Sequence, residues 1–387
     1  MPLASARLAL LGGKTLAGAV TGLGLTTSRN LYGDAFDYLG KDSSGTPVFG
    51  ISYIDNTNSD RPTVVLFRMN SDFGFTSGTA YVLDTNARSY ASLVADNTQG
   101  YVFCTYKNNS GPISSVCLEC DLDNLSILSE GNTITGSFSG YYLASARLGS
   151  SSKFIAGSRG GNNGVMLMTS AYERTSGTNI TTIIGRTDIK VNGQGNSYDA
   201  IGFNSDRFMV GGRGNNGNNH TTSAAEVSGT SIPYFRKNML GGGGNSMTKL
   251  APLDSQGKVL VVGRSNGTTR TSIAEADWAS NVFSEGNITT IKTVGSDTFE
   301  AVSGHADNEG YIVDMQNNLV KYKKVTASGV TSTLDTDWTE LTEINGNNLN
   351  IQDGSMHPFR SVTQGTKNIL AGITRASGEI VFVTFAV

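Results

Sequence analysis

Seven short apolar runs separated by polar turns recur along the chain: Pro47–Tyr53, Tyr101–Lys107, Lys153–Arg159, Arg207–Arg213, Lys258–Arg264, Gly310–Gln316 and Asn368–Thr374. Their starts are separated by 54, 52, 54, 51, 52 and 58 residues. Each run is rich in Val, Ile, Phe or Tyr and bounded by turn residues, which predicts a strand buried on both faces rather than a helix. Polar turns precede most of them, as at Asp42–Gly45, Asn97–Gly100, Asp254–Gly257 and Asp307–Gly310. In such turns Asp or Asn caps the backbone and Gly closes it. An aromatic residue or Met stands 9 or 11 residues ahead of every run (Phe36, Tyr90, Tyr142, Tyr198, Met247, Phe299, Phe359) and marks a preceding strand. A third strand follows each run, such as Val165–Met168 or Ile380–Phe385. A less apolar fourth follows in most units, at Thr79–Leu83, Ile180–Ile184 and Ile288–Lys292.

Self-similarity at this period changes the reading of the whole fold. Four antiparallel strands repeated seven times predict an all-β chain, a seven-bladed β-propeller whose ring leaves only short, protected edges. The last unit ends on its third strand at Val387. The fourth strand of that blade is therefore expected from the N-terminal segment, about residues 14–30. The domain reading is a docking arm over residues 1–13 and the propeller over 14–387.

Composition supports β structure and narrows function. Of 387 residues, 48 are Gly and 7 Pro, without a collagen triplet period, and scarce Glu and Lys argue against a mainly helical protein. The formal net charge of −3 leaves no excess of cations to neutralise a phosphate backbone, so nucleic acid is not an expected partner. No apolar stretch has the length of a bilayer-spanning helix. Cys104, Cys117 and Cys120 are too few for a four-cysteine zinc site and form an odd set, so buried thiols are expected. No zinc or calcium motif occurs, and no cofactor or metal is expected. The apolar stretch at the N-terminus is interrupted by Arg7 and Lys14 and does not read as a signal peptide.

Two resemblances follow. Met209–Arg213 with Ser223–Val227, and Val261–Arg264 with Ser272–Trp278, resemble kelch repeats, in which an apolar strand ends in Gly-Gly and a polar loop leads to a strand finishing near Trp. The resemblance covers two units and implies propeller geometry, with no partner. The Asn/Gly/Ser/Thr-rich repeats and near absence of Cys also resemble tailed-bacteriophage virion proteins, such as fibres and spikes. That likeness implies a non-enzymatic structural and attachment protein, located in the virion and assembled in the host cytoplasm. It would contact other virion proteins through its arm and possess a surface for a host glycan or receptor, with oligomeric state open. The alternative is a lectin or carbohydrate-active enzyme on the same scaffold.

Candidate site residues are chosen by position. Arg159, Arg213 and Arg264 end the second strand of three successive units, at the rim where the Asn-rich loops with Asn215, Asn216 and His220 gather. Arg pairs carboxylates through two parallel hydrogen bonds, so such a rim suits acidic sugars or an acidic protein surface, or else ties one blade to the next. Asp37, Asp199, Glu300 and Arg360 each follow a strand marker and are expected at the channel mouth. His220, His305 and His357 are expected to be exposed and too far apart to act together, and no catalytic set is assigned. Leu3, Leu8 and Leu11 would form the apolar face of a docking arm.

Overall fold

The computed structural model describes residues 18–27, 31, 35–107, 111–137, 139–149, 152–159, 165–190, 199–203, 206–213, 220–241, 248–265, 268–292, 299–316, 319–341, 358–376 and 378–387. Leu3, Leu8, Leu11, Asn215, Asn216 and His357 lie outside them, as does the rest of the docking arm.

Seven antiparallel sheets follow one another along the chain, and the first six run in sequence order from an inner strand outward. The inner strands are Phe36–Lys41, Tyr90–Ala95, Tyr141–Leu148, Asp199–Gly202, Thr248–Pro252, Phe299–Ser303 and Phe359–Gln364. Each touches the inner strand of the next blade, and the last touches the first, so the ring is closed. The apolar runs form the second strands. Pro47–Asp55 is buried along its whole length, as expected for a sheet covered on both faces.

The seventh sheet is completed by Gly18–Thr26, which pairs with Glu379–Ala386 and places Ala19 opposite Thr384. Here the propeller closes without a covalent link. The seam between blades 7 and 1 is packed by Phe36, Phe49, Phe67 and Phe382, with Phe67 and Phe382 edge to face at 5.0 Å.

The outer strand departs from the expected single segment in four blades. It is split into Phe75–Ser77 and Tyr81–Val82 in blade 1, and into Ser126–Glu130 and Ile134–Thr135 in blade 2. The split falls between Val282–Glu285 and Thr289–Lys292 in blade 5, and between Thr331–Leu334 and Thr339–Leu341 in blade 6. In blades 1, 2 and 5 a glycine sits at the break, where the next blade's hairpin approaches. A Cβ on Gly78, Gly131 or Gly286 would lie 1.8, 1.8 or 1.6 Å from the carbonyl oxygen of Leu125, Thr178 or Val330.

Blades 2 and 5 carry the same four residues there, Ser129–Asn132 and Ser284–Asn287. The glutamate fastens backwards: Glu130 Oε2 accepts from the Tyr81 hydroxyl at 2.6 Å, and Glu285 Oε1 accepts from Leu240 N at 2.9 Å. In blade 2 the asparagine fastens forwards. Asn132 Nδ2 donates to Ile180 O at 3.0 Å, and Ile180 N donates to Asn132 Oδ1 at 2.8 Å.

The two ends of the ring differ. First-to-second and third-to-outer connections lie at one end and are held by carboxylate-capped turns. Asp42, for example, accepts from Ser44 N and Thr46 N, and Asp254 from Gln256 N, Gly257 N and Lys258 N. Gly18 pairs with Phe385 at this same end, so the described chain both begins and finishes there. The strands bracketing residues 160–164, 191–198, 214–219 and 242–247 end at the opposite end.

Candidate functional site

Polar side chains gather where the inner strands converge. Blade 7 presents Arg360 to Asp37 of blade 1, with Nε donating to Oδ1 at 2.7 Å. Asp37 Oδ2 accepts from Ala95 N of blade 2 at 2.9 Å. Ser92 and Ser145 hydroxyls, 2.9 Å apart, join blades 2 and 3. Asp199 Oδ2 accepts from Leu250 N at 2.8 Å across blades 4 and 5. Lys249 Nζ donates to Glu300 Oε2 at 2.7 Å across blades 5 and 6. These contacts tie five of the seven junctions between inner strands, each partner being supplied by a neighbouring blade.

Burial divides these groups. Lys249 and Glu300 side chains are sealed, at 1% and 6% exposure. The Arg360 side chain, by contrast, keeps 33% of its accessible surface. Asp199 is also half-buried. Burial pushes the Glu300 carboxyl up to about 7, against the opposing pull of Lys249. Burial raises Asp199 as well, despite Lys249 and Arg360. Burial works against the Arg360 charge, but Asp37, Glu300 and Asp199 outweigh it and raise the guanidinium pKa.

The four inner residues singled out in the sequence therefore come together, and Lys249 joins them. Sequence reading missed Lys249 because it stands two residues past the marker Met247, where Asp37, Asp199, Glu300 and Arg360 stand one past theirs. The detectable signal was a single charge inside the apolar stretch Met247–Leu253.

The proposed arginine rim has a different outcome. Arg159, Arg213 and Arg264 end or nearly end their second strands at the end expected for them. The side chains of Arg159 and Arg213 are outside the described residues. Arg264 is half-buried. Lys107, at the equivalent place in blade 2, is 1% exposed, with its ammonium 5.7 Å from the Tyr90 ring centre. That burial favours a structural tie at this position.

His220 is not the exposed loop residue expected. It opens a third strand, is fully buried, and spans two blades. Nε2 donates to Arg264 O at 2.8 Å, and Nδ1 lies 2.8 Å from Thr248 Oγ1. Gly263 makes room for the ring, since a Cβ there would stand 2.7 Å from it. His220 is withdrawn from the rim set: neither ring nitrogen faces an outside ligand. His305 is half-buried at the other end, where Nε2 donates to Val362 O at 2.9 Å.

The three cysteines are buried and free. Among the described residues no group of three His, Cys, Asp or Glu side chains is placed to hold a metal ion, and no helix is long and apolar enough to cross a membrane.

No protein-family model and no curated protein matches the chain. Solved structures do match. A chain of the Saccharomyces cerevisiae core factor aligns with a TM-score of 0.56 at 7% identity, over 98% of this chain and 62% of that one. This chain therefore spans less than two thirds of the length of that structure. The polysaccharide lyase Uly1 aligns with a TM-score of 0.47 at 10% identity, over 92% and 90% of the two chains. The Dos1 propeller aligns with a TM-score of 0.45 at 9% identity, over 93% and 95%. At such identities structural likeness speaks to fold alone. The chain is a seven-bladed β-propeller of four-stranded antiparallel blades.

Proposed function

We propose that this propeller is a non-enzymatic structural and attachment protein of a virion. In this reading one end docks on another virion subunit, and the opposite end meets a host-surface glycan or receptor. The observation that supports it is the polarity of the ring. The described chain begins at Gly18 and finishes at Val387 at the end braced by capped turns, which supports docking through that end. The strands ending in Arg159 and Arg213 finish at the other end, and the sequence that follows each of them is rich in Asn and Gly. Such connections are where scaffolds of this type carry recognition. The inner charged groups are consumed in ties between blades, which suits a rigid platform better than proton transfer.

Cross-linking of native particles tests the docking half, and a glycan array with the isolated full-length chain tests the binding half. The expected results are cross-links from residues 1–13 to a second virion protein, and array binding that Arg213→Glu weakens while thermal stability stays within about 0.5 kcal/mol. A chain recovered only as a free monomer that cleaves a polysaccharide would overturn the proposal in favour of a carbohydrate-active enzyme. Unchanged binding with a marked stability loss in Arg213→Glu would assign that residue to blade cohesion.

A further inference from the structure

Among the described residues, the axial ties contain an unequal number of charges. Asp37, Asp199 and Glu300 supply three carboxylates, and Lys249 and Arg360 supply two cations. Glu300 is faced by Lys249 from blade 5, Asp199 from blade 4 and Arg360 from blade 7. Asp199 is faced by Lys249 and Arg360. Other charges on the strands packed against Glu300 are Asp314, which pairs with Lys292 at 2.9 Å, Glu309, which pairs with Lys324, Lys258, which donates to Asn308 Oδ1 at 2.7 Å, and the half-buried Arg264. Around the sealed Lys249 and Glu300 side chains, charge balance is therefore reached when one carboxyl holds a proton, because an unmatched charge removed from water is costly.

We propose that the axial cluster is a proton-operated clasp, in which Glu300 and Asp199 hold one proton between them and its release loosens the junctions of blades 4 to 7. With the proton in place, Lys249 and Arg360 match the two remaining carboxylates. Without it, a net negative charge is confined between inner strands whose cohesion depends on these same groups. The raised carboxyls of Glu300 and Asp199 agree with this balance. A group raised on folding contributes stability that is complete below its unfolded value and declines as pH climbs through its folded value. For Glu300 that window runs from 4.5 to about 7.

Amide hydrogen exchange on the full chain at pH 6 and pH 8, corrected for intrinsic rates, reads the clasp directly. Protection of Thr248–Pro252 and Phe299–Ser303 should fall by about tenfold at pH 8, while outer strands change less. Equal protection at the two pH values in the unaltered protein overturns the proposal. In a second measurement, Glu300→Gln should lose at least half of the decline in Tm between pH 5 and 8, a decline of roughly 3–5 °C in the parent. The reading is the difference in slope between parent and variant. A variant with the parent's full slope overturns the assignment to Glu300.

Discussion

Thr21 lies directly opposite Phe382 in an antiparallel pair, so the two ends of the chain share one sheet. Phe382 also stands edge to face on Phe67 of the first blade, which makes the seventh sheet the keystone between neighbours. Removing residues 1–26 would bare the backbone groups of Glu379–Ala386 along a long apolar edge. The expected outcome is aggregation or dimerisation by light scattering and a melting transition lowered by more than 5 °C. Removing only residues 1–17 leaves that strand in place and should preserve the parent's oligomeric state and melting. A monomeric protein with unchanged melting after the longer deletion would refute the closure.

The Gly131 and Gly286 breaks make a sharper prediction about how blades adhere. Because the obstructing atom is a backbone carbonyl of the following blade, an added methyl has no flexible neighbour to displace. Gly131→Ala and Gly286→Ala should each cost about 1–3 kcal/mol or more in urea unfolding. Gly185, also in an outer strand, has nothing within 4 Å of its missing Cβ. Gly185→Ala should therefore be neutral or stabilising by about 0.4–1 kcal/mol. Equal costs at the three positions would remove the steric account.

The ring itself was legible because burial on both faces forces each second strand into a short, continuous apolar run, and turn chemistry punctuates it. Inner residues were legible only where the marker register held, as for Asp37 and Arg360. Lys249 escaped by one residue of slippage, and the Ser92–Ser145 contact has no local signature, since serine is common throughout this chain. His220 was misplaced because an Asn-rich flank suggested a loop; its burial depends on Gly263 in the next blade, a dependence with no trace in local periodicity. The split outer strands followed from contacts with the neighbouring blade, which one-unit patterning does not report.

The Lys249–Glu300 pair predicts strong non-additivity. Lys249→Met leaves a sealed carboxylate without its cation and should cost about 3–5 kcal/mol at pH 8. At pH 5 Glu300 is neutral, so the same substitution should cost distinctly less. Adding Glu300→Gln to Lys249→Met should recover most of the loss at pH 8. Urea titrations of the two single variants and the double variant give the coupling energy. A double variant as unstable as the sum of the singles would show that the pair does not act as a unit.

Thiol chemistry offers a readout of the blade 2 core that needs no mutation. Burial pushes the Cys120 thiol up to about 12, with Glu119 adding to it, and burial also raises Cys104 and Cys117. The thiolate is the reactive form, so all three should resist a thiol reagent at pH 8 in the native protein. Full labelling should appear only in denaturant, with a midpoint that coincides with unfolding by fluorescence. Fast labelling of one cysteine under native conditions would show that the sheet formed by Tyr90–Ala95, Tyr101–Lys107 and Ile113–Asp121 opens independently of the ring. Coincident midpoints would instead show that blade 2 unfolds only with its neighbours, as expected if the ties at Tyr81, Asn132 and Ser145 make the ring one cooperative unit.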